Sequence, residues 1–258
     1  MLGLLNTVLS KGGSLLTYVK EGLVMANRFL SPPKLSHPAQ GSAEFDGASD
    51  VIDLGTKSFI TEDAFSVSFW QYANDTNEGY IFSTGYNNTD TLLFLNAGGS
   101  NLGLLYPGSG GTLLSNYVSM SANVWDYYTY TYDGTTLKIY KNGSEAVSQS
   151  FAITNVVSGT YEIGWASPRN KTTAYFNGNL ANVAIWNRAL SSDEINSVMW
   201  KSYDGLTPSE TSGLQAWYSL DDITSPAASL ANMEQLAADK DATIENKAAI
   251  TAAINALS

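Results

Sequence analysis

Between Phe176 and Ile195 the chain switches from a strand to a helix. Leu180, Val183 and Ile185 supply the alternating apolar positions of a strand. Asn187-Arg188-Ala189-Leu190 then reads as a turn, and Ser191 or Ser192 caps a short helix with Glu194 just inside it. A serine hydroxyl there accepts from a backbone N–H that the helix leaves unpaired. A glutamate in the first turn can return the bond.

The residues before this closing segment are strands throughout. Residues 65–72 alternate, with Phe65, Val67 and Phe69 on one face. Residues 80–83, 91–95 and 101–106 are further strands, separated by turn-rich stretches at 86–90 and 96–100. The clearest hairpin runs through residues 125–132, Asp133-Gly134 and residues 136–140, then into Lys141-Asn142-Gly143-Ser144. Asp-Gly and Asn-Gly supply the positive-φ residues that tight hairpins need. Tyr127, Tyr128, Tyr130 and Tyr132 fall on both faces of one strand, so some are expected to meet solvent or another subunit.

Three of these segments resemble one family. The 176–195 segment is similar to its closing strand and helix. Trp125, Tyr132-Asp133-Gly134, Tyr140 and Asn142-Gly143 repeat its succession of strand, turn, strand and turn. Phe45-Asp46-Gly47, followed by Asp50-Val51, is similar to its opening strand. Taken in this order over residues 41–197, the motifs resemble the laminin-G-like jelly-roll family, the concanavalin A-like lectin/glucanase sandwich. The resemblance implies an all-β fold: a two-sheet antiparallel jelly-roll sandwich. It implies no single activity, because such folds bind sugars, cleave sugars or serve as structural modules. The loop and strand at 204–221 also look like the tail of laminin-G-like proteins carried by bacteriophages.

The sandwich is expected over residues 41–222, between helical N- and C-terminal arms. In residues 1–40, Leu2, Leu5, Leu9, Leu16, Val19, Leu23 and Leu30 keep a heptad spacing that Gly12-Gly13 weakens, and Ser31-Pro32-Pro33 stops it. That stripe suits either an amphipathic helix packed on its own domain or an anchoring and oligomerising arm. Residues 223–258 read as helix, with Ile244, Ile250, Ile254 and Leu257 as sparse apolar positions.

Composition narrows the function. The net charge of -11 argues against non-specific binding to nucleic acid. The absence of cysteine removes thiol nucleophiles, disulfides and cysteine-ligated zinc. No apolar run approaches the ~20 residues of a membrane span. The start lacks a basic n-region before Leu2-Gly3-Leu4-Leu5, so a chain folded from Met1 without a leader is expected.

Catalytic patterns are missing. A glycosidase on this fold needs two facing carboxylates, and alternate acidic residues on one strand would provide them. No strand shows that spacing; Thr61-Glu62-Asp63 sits in a loop and Asp221-Asp222 are adjacent. His37, the one histidine, lies beside Pro38 in a linker, unsuited to a triad. Many relatives carry calcium, and Asp50 matches one ligand position. Ala181 and Asn182 stand where the family usually has Asp-Glu, so Asp50 is expected to be a turn residue and no cofactor is expected. Trp70, Trp125, Trp165, Trp186 and Trp217 are expected in the core; Tyr86, Tyr106, Tyr117 and Tyr175 are the candidates for stacking on sugars.

These readings lead to a non-catalytic structural protein of a phage particle, located in the virion. Its partners would be other virion proteins or further copies through the N-terminal arm. The alternative is a carbohydrate-binding or host-receptor-binding module that meets cell-surface glycans. A glycoside hydrolase is the remote third reading.

Overall fold

The computed structural model describes residues 41–84, 92–98, 101–106, 112–113, 118–150, 152–153, 159–166 and 174–220. The arms expected at 1–40 and 223–258 lie outside them. The described strands form two antiparallel sheets of seven strands each. Numbered in chain order, the first sheet runs β1 (Ala43–Asp46), β13 (Asn177–Trp186), β3 (Phe65–Ala73), β9 (Trp125–Tyr132), β10 (Thr136–Lys141), β11 (Ser144–Ser150). The second runs β2 (Ile52–Lys57), β12 (Gly159–Ile163), β4 (Glu78–Thr84), β5 (Leu92–Gly98), β6 (Asn101–Tyr106), β7 (Thr112–Leu113), with β8 (Val118–Ser119) also on β6. The sandwich implied by the motifs is therefore present.

The main core joins the two sheets. Phe65, Val67 and Phe69 are fully buried in it, as their alternation predicts. Tyr130 packs edge-on against Phe94 at 4.9 Å, and its hydroxyl donates to the Gly103 carbonyl at 3.2 Å on the opposite sheet. A buried tyrosine needs such a partner for its polar end. Tyr132 donates to the Gly134 carbonyl and Tyr128 to Asp126.

The outer face of the first sheet carries a second apolar cluster. Trp70, Tyr127, Ala181, Ala184, Trp186 and Trp217 lie there beneath Leu190, Ile195, Val198 and Met199. The last four belong to a cap that begins at Asn187 and holds α1 (Ser192–Val198) and α2 (Pro208–Thr211). Ser191 caps α1 in a full capping box with Glu194, and Thr207 does the same for α2 with Glu210. The cap corrects the expectation for the tyrosine strand. All four tyrosines are buried, because Tyr127 lies under the cap rather than in solvent or against another subunit.

Polar bonds fasten the cap to the sheet. Ser66 donates to the Arg188 carbonyl and accepts from the Leu190 N–H, at 2.8 and 2.9 Å. Trp186 and Trp70 donate their indole N–H groups to the carbonyls of Glu210 and Met199. Arg188 grips Glu194 with two nitrogens and also reaches the carbonyls of Ser209 and Ser212. The Asn142-Gly143 turn, with φ of 51° and 79°, tucks against α1; a Cβ on Gly143 would run into Asn196. The strand expected near residue 214 is β14 (Leu214–Tyr218), which pairs with β13. It shares with β1 the edge of β13 opposite β3. A bulge separates them, where Asn182 takes φ of 49°.

Candidate functional site

At the rim of the sandwich, three segments distant in sequence enclose a polar cleft of about 110 Å³. Asp46 and Gly47 come from the turn after β1, Asp75 and Asn77 from the β3–β4 loop, Glu78 and Gly79 from the start of β4, and Tyr175 and Asn177 from the approach to β13. Backbone bonds hold the segments together: Gly47 N–H to Phe176, Asn74 N–H to Asn177 and Tyr80 N–H to Ala174, each at 3.0 Å. Gly47, at φ of 72°, admits Asn177 to the cleft; a Cβ there would stand 2.9 Å from Asn177 Cβ.

Asp46, Asp75, Asn177 and Tyr175 are each held in place along the cleft. Asp46 Oδ1 accepts from the backbone of Ala48, Ser49 and Asp50 at 2.8, 2.8 and 3.1 Å, and Oδ2 from the Ser49 hydroxyl. Burial opposes its ionisation, but these donors outweigh burial and hold the carboxyl below its ordinary range. Asp75 accepts from Asn77 N–H and from Asn177 Nδ2, at 2.8 and 2.6 Å. Asn177 in turn accepts from Asn74 at 3.0 Å. Tyr175, half-buried, lies flat on Trp165, with ring centroids 4.0 Å apart and planes 10° from parallel. Carboxylates and amides that are already oriented, beside an aromatic ring, can read the hydroxyls and ring face of a polyol.

Of the tyrosines expected to stack on sugars, Tyr175 lines this cleft. Tyr86 and Tyr117 lie outside the described residues, as does the side chain of Tyr106. Trp70, Trp165, Trp186 and Trp217 are buried as expected, while Trp125 is only half-buried, beside Tyr72 at 5.7 Å. Trp200, which the strand pattern does not mark, is the most exposed large apolar residue among those described, at 50 %.

Asp50 is a buried turn residue whose carboxylate accepts from the Asp46 N–H at 3.0 Å. Ala181 lies in the apolar cluster under the cap, and Asn182 bonds to Ser219 and Lys201 through the bulge. These residues do not fit the family's calcium. Among the described residues, no three His, Cys, Asp or Glu side chains are grouped to hold a metal ion. Nor is any described helix long and apolar enough to cross a membrane.

One pair escaped sequence reasoning. Asp53 of β2 and Glu162 of β12 are register partners, so neighbouring strands place two carboxylates on one face. Each has a structural bond: Asp53 accepts from Gly55 N–H at 2.7 Å and the buried Glu162 from Ser83 at 3.4 Å. Neither borders the cleft. The cleft's own residues were missed as a group because Asp75 and Asn177, 102 positions apart, meet only through the fold.

The family model of the concanavalin A-like lectin/glucanases superfamily matches residues 46–196. The chain belongs to that superfamily. Among solved structures it is similar to a candidate carbohydrate-binding protein from Bacteroides ovatus, at 16 % identity and a TM-score of 0.53 over 73 % of this chain and 53 % of that one. It thus spans about half the length of that protein. It is also similar to the CBM40 of the Ruminococcus gnavus IT-sialidase, solved with α2,3-sialyllactose, at 15 % identity and a TM-score of 0.53, over 62 % of this chain and 97 % of that one. A third likeness is to the NanB sialidase of Streptococcus pneumoniae, at 14 % identity and a TM-score of 0.51, over 63 % of this chain and 28 % of that one. At these identities the likeness shows the fold. No curated protein matches the chain.

Proposed function

We propose that the domain is a non-catalytic carbohydrate-binding module and that the rim cleft is where the sugar sits. The observation that carries this reading is Tyr175, set flat on Trp165 at the wall of a cleft lined by Asp46, Asp75, Asn77 and Asn177. An aromatic ring fixed from behind offers its free surface to a sugar's C–H face at little entropic cost. Fixed acceptors and amides around it select the hydroxyl pattern. Carbohydrate binding by structures of the same fold supports the reading. A glycan array followed by calorimetry tests it. At least one glycan should bind, and Tyr175→Ala should weaken that binding about tenfold or more, equivalent to ~1.4 kcal/mol. An array without hits, or a hit indifferent to Tyr175→Ala, would refute it.

A structural role in a phage particle is a second reading, supported by the heptad-spaced residues of the 1–40 segment and the phage-like tail sequence at 204–221. The two join if such a particle touches its host through this domain. Banding of the protein with intact particles in a density gradient tests the second reading on its own.

A further inference from the structure

Resting on the carbohydrate reading of the rim cleft, we infer that the cleft takes uncharged glycans and turns away those whose contacting ring carries a carboxylate. Asp46 and Asp75 line one cleft, and among the described residues every partner of either carboxylate is a neutral donor. For Asp46 these are the N–H groups of Ala48, Ser49 and Asp50 and the Ser49 hydroxyl. For Asp75 they are the Asn77 N–H and the Asn177 amide. Such donors orient a carboxylate without neutralising its charge. No lysine, arginine or histidine is among the described residues that line the cleft.

An ionised carboxylate only accepts hydrogen bonds. It therefore matches a sugar hydroxyl, which donates, and cannot match a second carboxylate, which has no proton to give. The small volume works in the same direction, because a ring seated against Tyr175 would hold its substituents within a few ångströms of Asp46 or Asp75. Like charges at that separation repel strongly where solvent is partly excluded. The ring face stacked on Tyr175 is indifferent to this, so discrimination comes from the acidic side of the cleft and affinity partly from the aromatic side.

The test takes a neutral glycan that binds the full-length protein and compares it by calorimetry with the same glycan oxidised at C6 to the uronic acid. The acid form should bind at least about tenfold more weakly in low salt, and the gap should shrink severalfold in ~1 M sodium chloride, where charges are screened beyond ~3 Å. Asp75→Asn should narrow the gap in low salt, whatever it does to the affinity for the neutral glycan. Equal or tighter binding of the acid form would overturn the inference and leave the carbohydrate reading standing. So would an array whose hits are all acidic, or a gap that neither salt nor Asp75→Asn changes. Absence of any glycan binding would remove the carbohydrate reading and this inference with it. The salt series uses the unaltered protein, so the test stands even if Asp75→Asn does not fold.

Discussion

The capped face of the first sheet and the rim cleft use the same residue types to opposite ends. On the capped face, Trp70 and Trp186 sit beneath α1 and α2, and their indole N–H groups donate to cap carbonyls. At the rim, Trp165 backs Tyr175, whose ring remains half-exposed beside carboxylates and amides. An aromatic ring thus becomes core or stays half-exposed according to what the chain lays over it. Covering the first sheet took a cap with two capping boxes and an arginine clamp. The rim is built of turns whose polar groups bond to one another and still face outward.

The largest expected effects ask whether the capped face is truly a second core. Phe69 and Trp70 are neighbours on β3, buried on opposite faces. Either residue changed to alanine should destabilise the domain by ~3–5 kcal/mol in denaturant unfolding. A cost for Trp70→Ala below ~1 kcal/mol would show that the cap adds little.

Much of this was legible in the sequence. Phe65, Val67 and Phe69 show their period directly, Asn142-Gly143 specifies its turn chemically, and Ser191 with Glu194 announces the start of α1. Local patterns of that kind need no tertiary information. The burial of Tyr127 was not legible, because it depends on a cap that begins 60 residues later. Nor was the cleft, whose Asp75–Asn177 bond depends on β1, β3 and β13 lying side by side. Tyr175 was legible as an aromatic candidate but not as one seated on Trp165.

The next effect in size concerns the fastening of the cap. Lys201 meets both oxygens of Glu210 at 2.7 Å, and Thr207 N–H donates to the same carboxylate at 2.6 Å. Burial alone would raise the pKa of Glu210, but Lys201, Ser197 and Thr207 outweigh it and lower the value from the ordinary 4.5 to about 2. A depressed folded-state pKa stabilises the protein fully above the unfolded value and is lost as protons bind the folded carboxylate. This contribution should therefore be complete above pH 4.5 and fade as pH falls toward 2. Glu210→Gln should cost ~1.5–3 kcal/mol at neutral pH, the worth of hydrogen bonds to a charged group. Its deficit relative to the native chain should shrink across that acid window. A deficit independent of pH would exclude the ion pair as its cause.

A smaller change in stability is expected at the rim. Tyr175→Ala should cost only the stacking on Trp165 and some burial, ~0.5–1.5 kcal/mol for the aromatic pair. A loss as large as that of Trp70→Ala would make Tyr175 part of a core and weaken the contrast between the two regions.

The smallest expected effect is that of calcium. A bound ion at a hundred times its dissociation constant would add ~2.7 kcal/mol of stability. With Ala181 and Asn182 absorbed into the cap cluster and the bulge, adding chelator should leave the melting temperature unchanged. A fall of several degrees would show that Asp50 and backbone oxygens suffice for a site.

Whether the rim binds glycan while the capped face is structural can be tested by replacing one accessible aromatic from each region. Trp200 is half-exposed above Trp70, with centroids 5.5 Å apart, and is as available to a sugar as any ring on that face. Binding of an array-selected glycan should be measured by calorimetry for the native chain, Tyr175→Ala and Trp200→Ala. A glycan site at the rim predicts that Tyr175→Ala lowers affinity about tenfold or more, equivalent to ~1.4 kcal/mol, and that Trp200→Ala leaves it unchanged. Loss of binding in Trp200→Ala with retention in Tyr175→Ala would contradict it and move the site to the capped face.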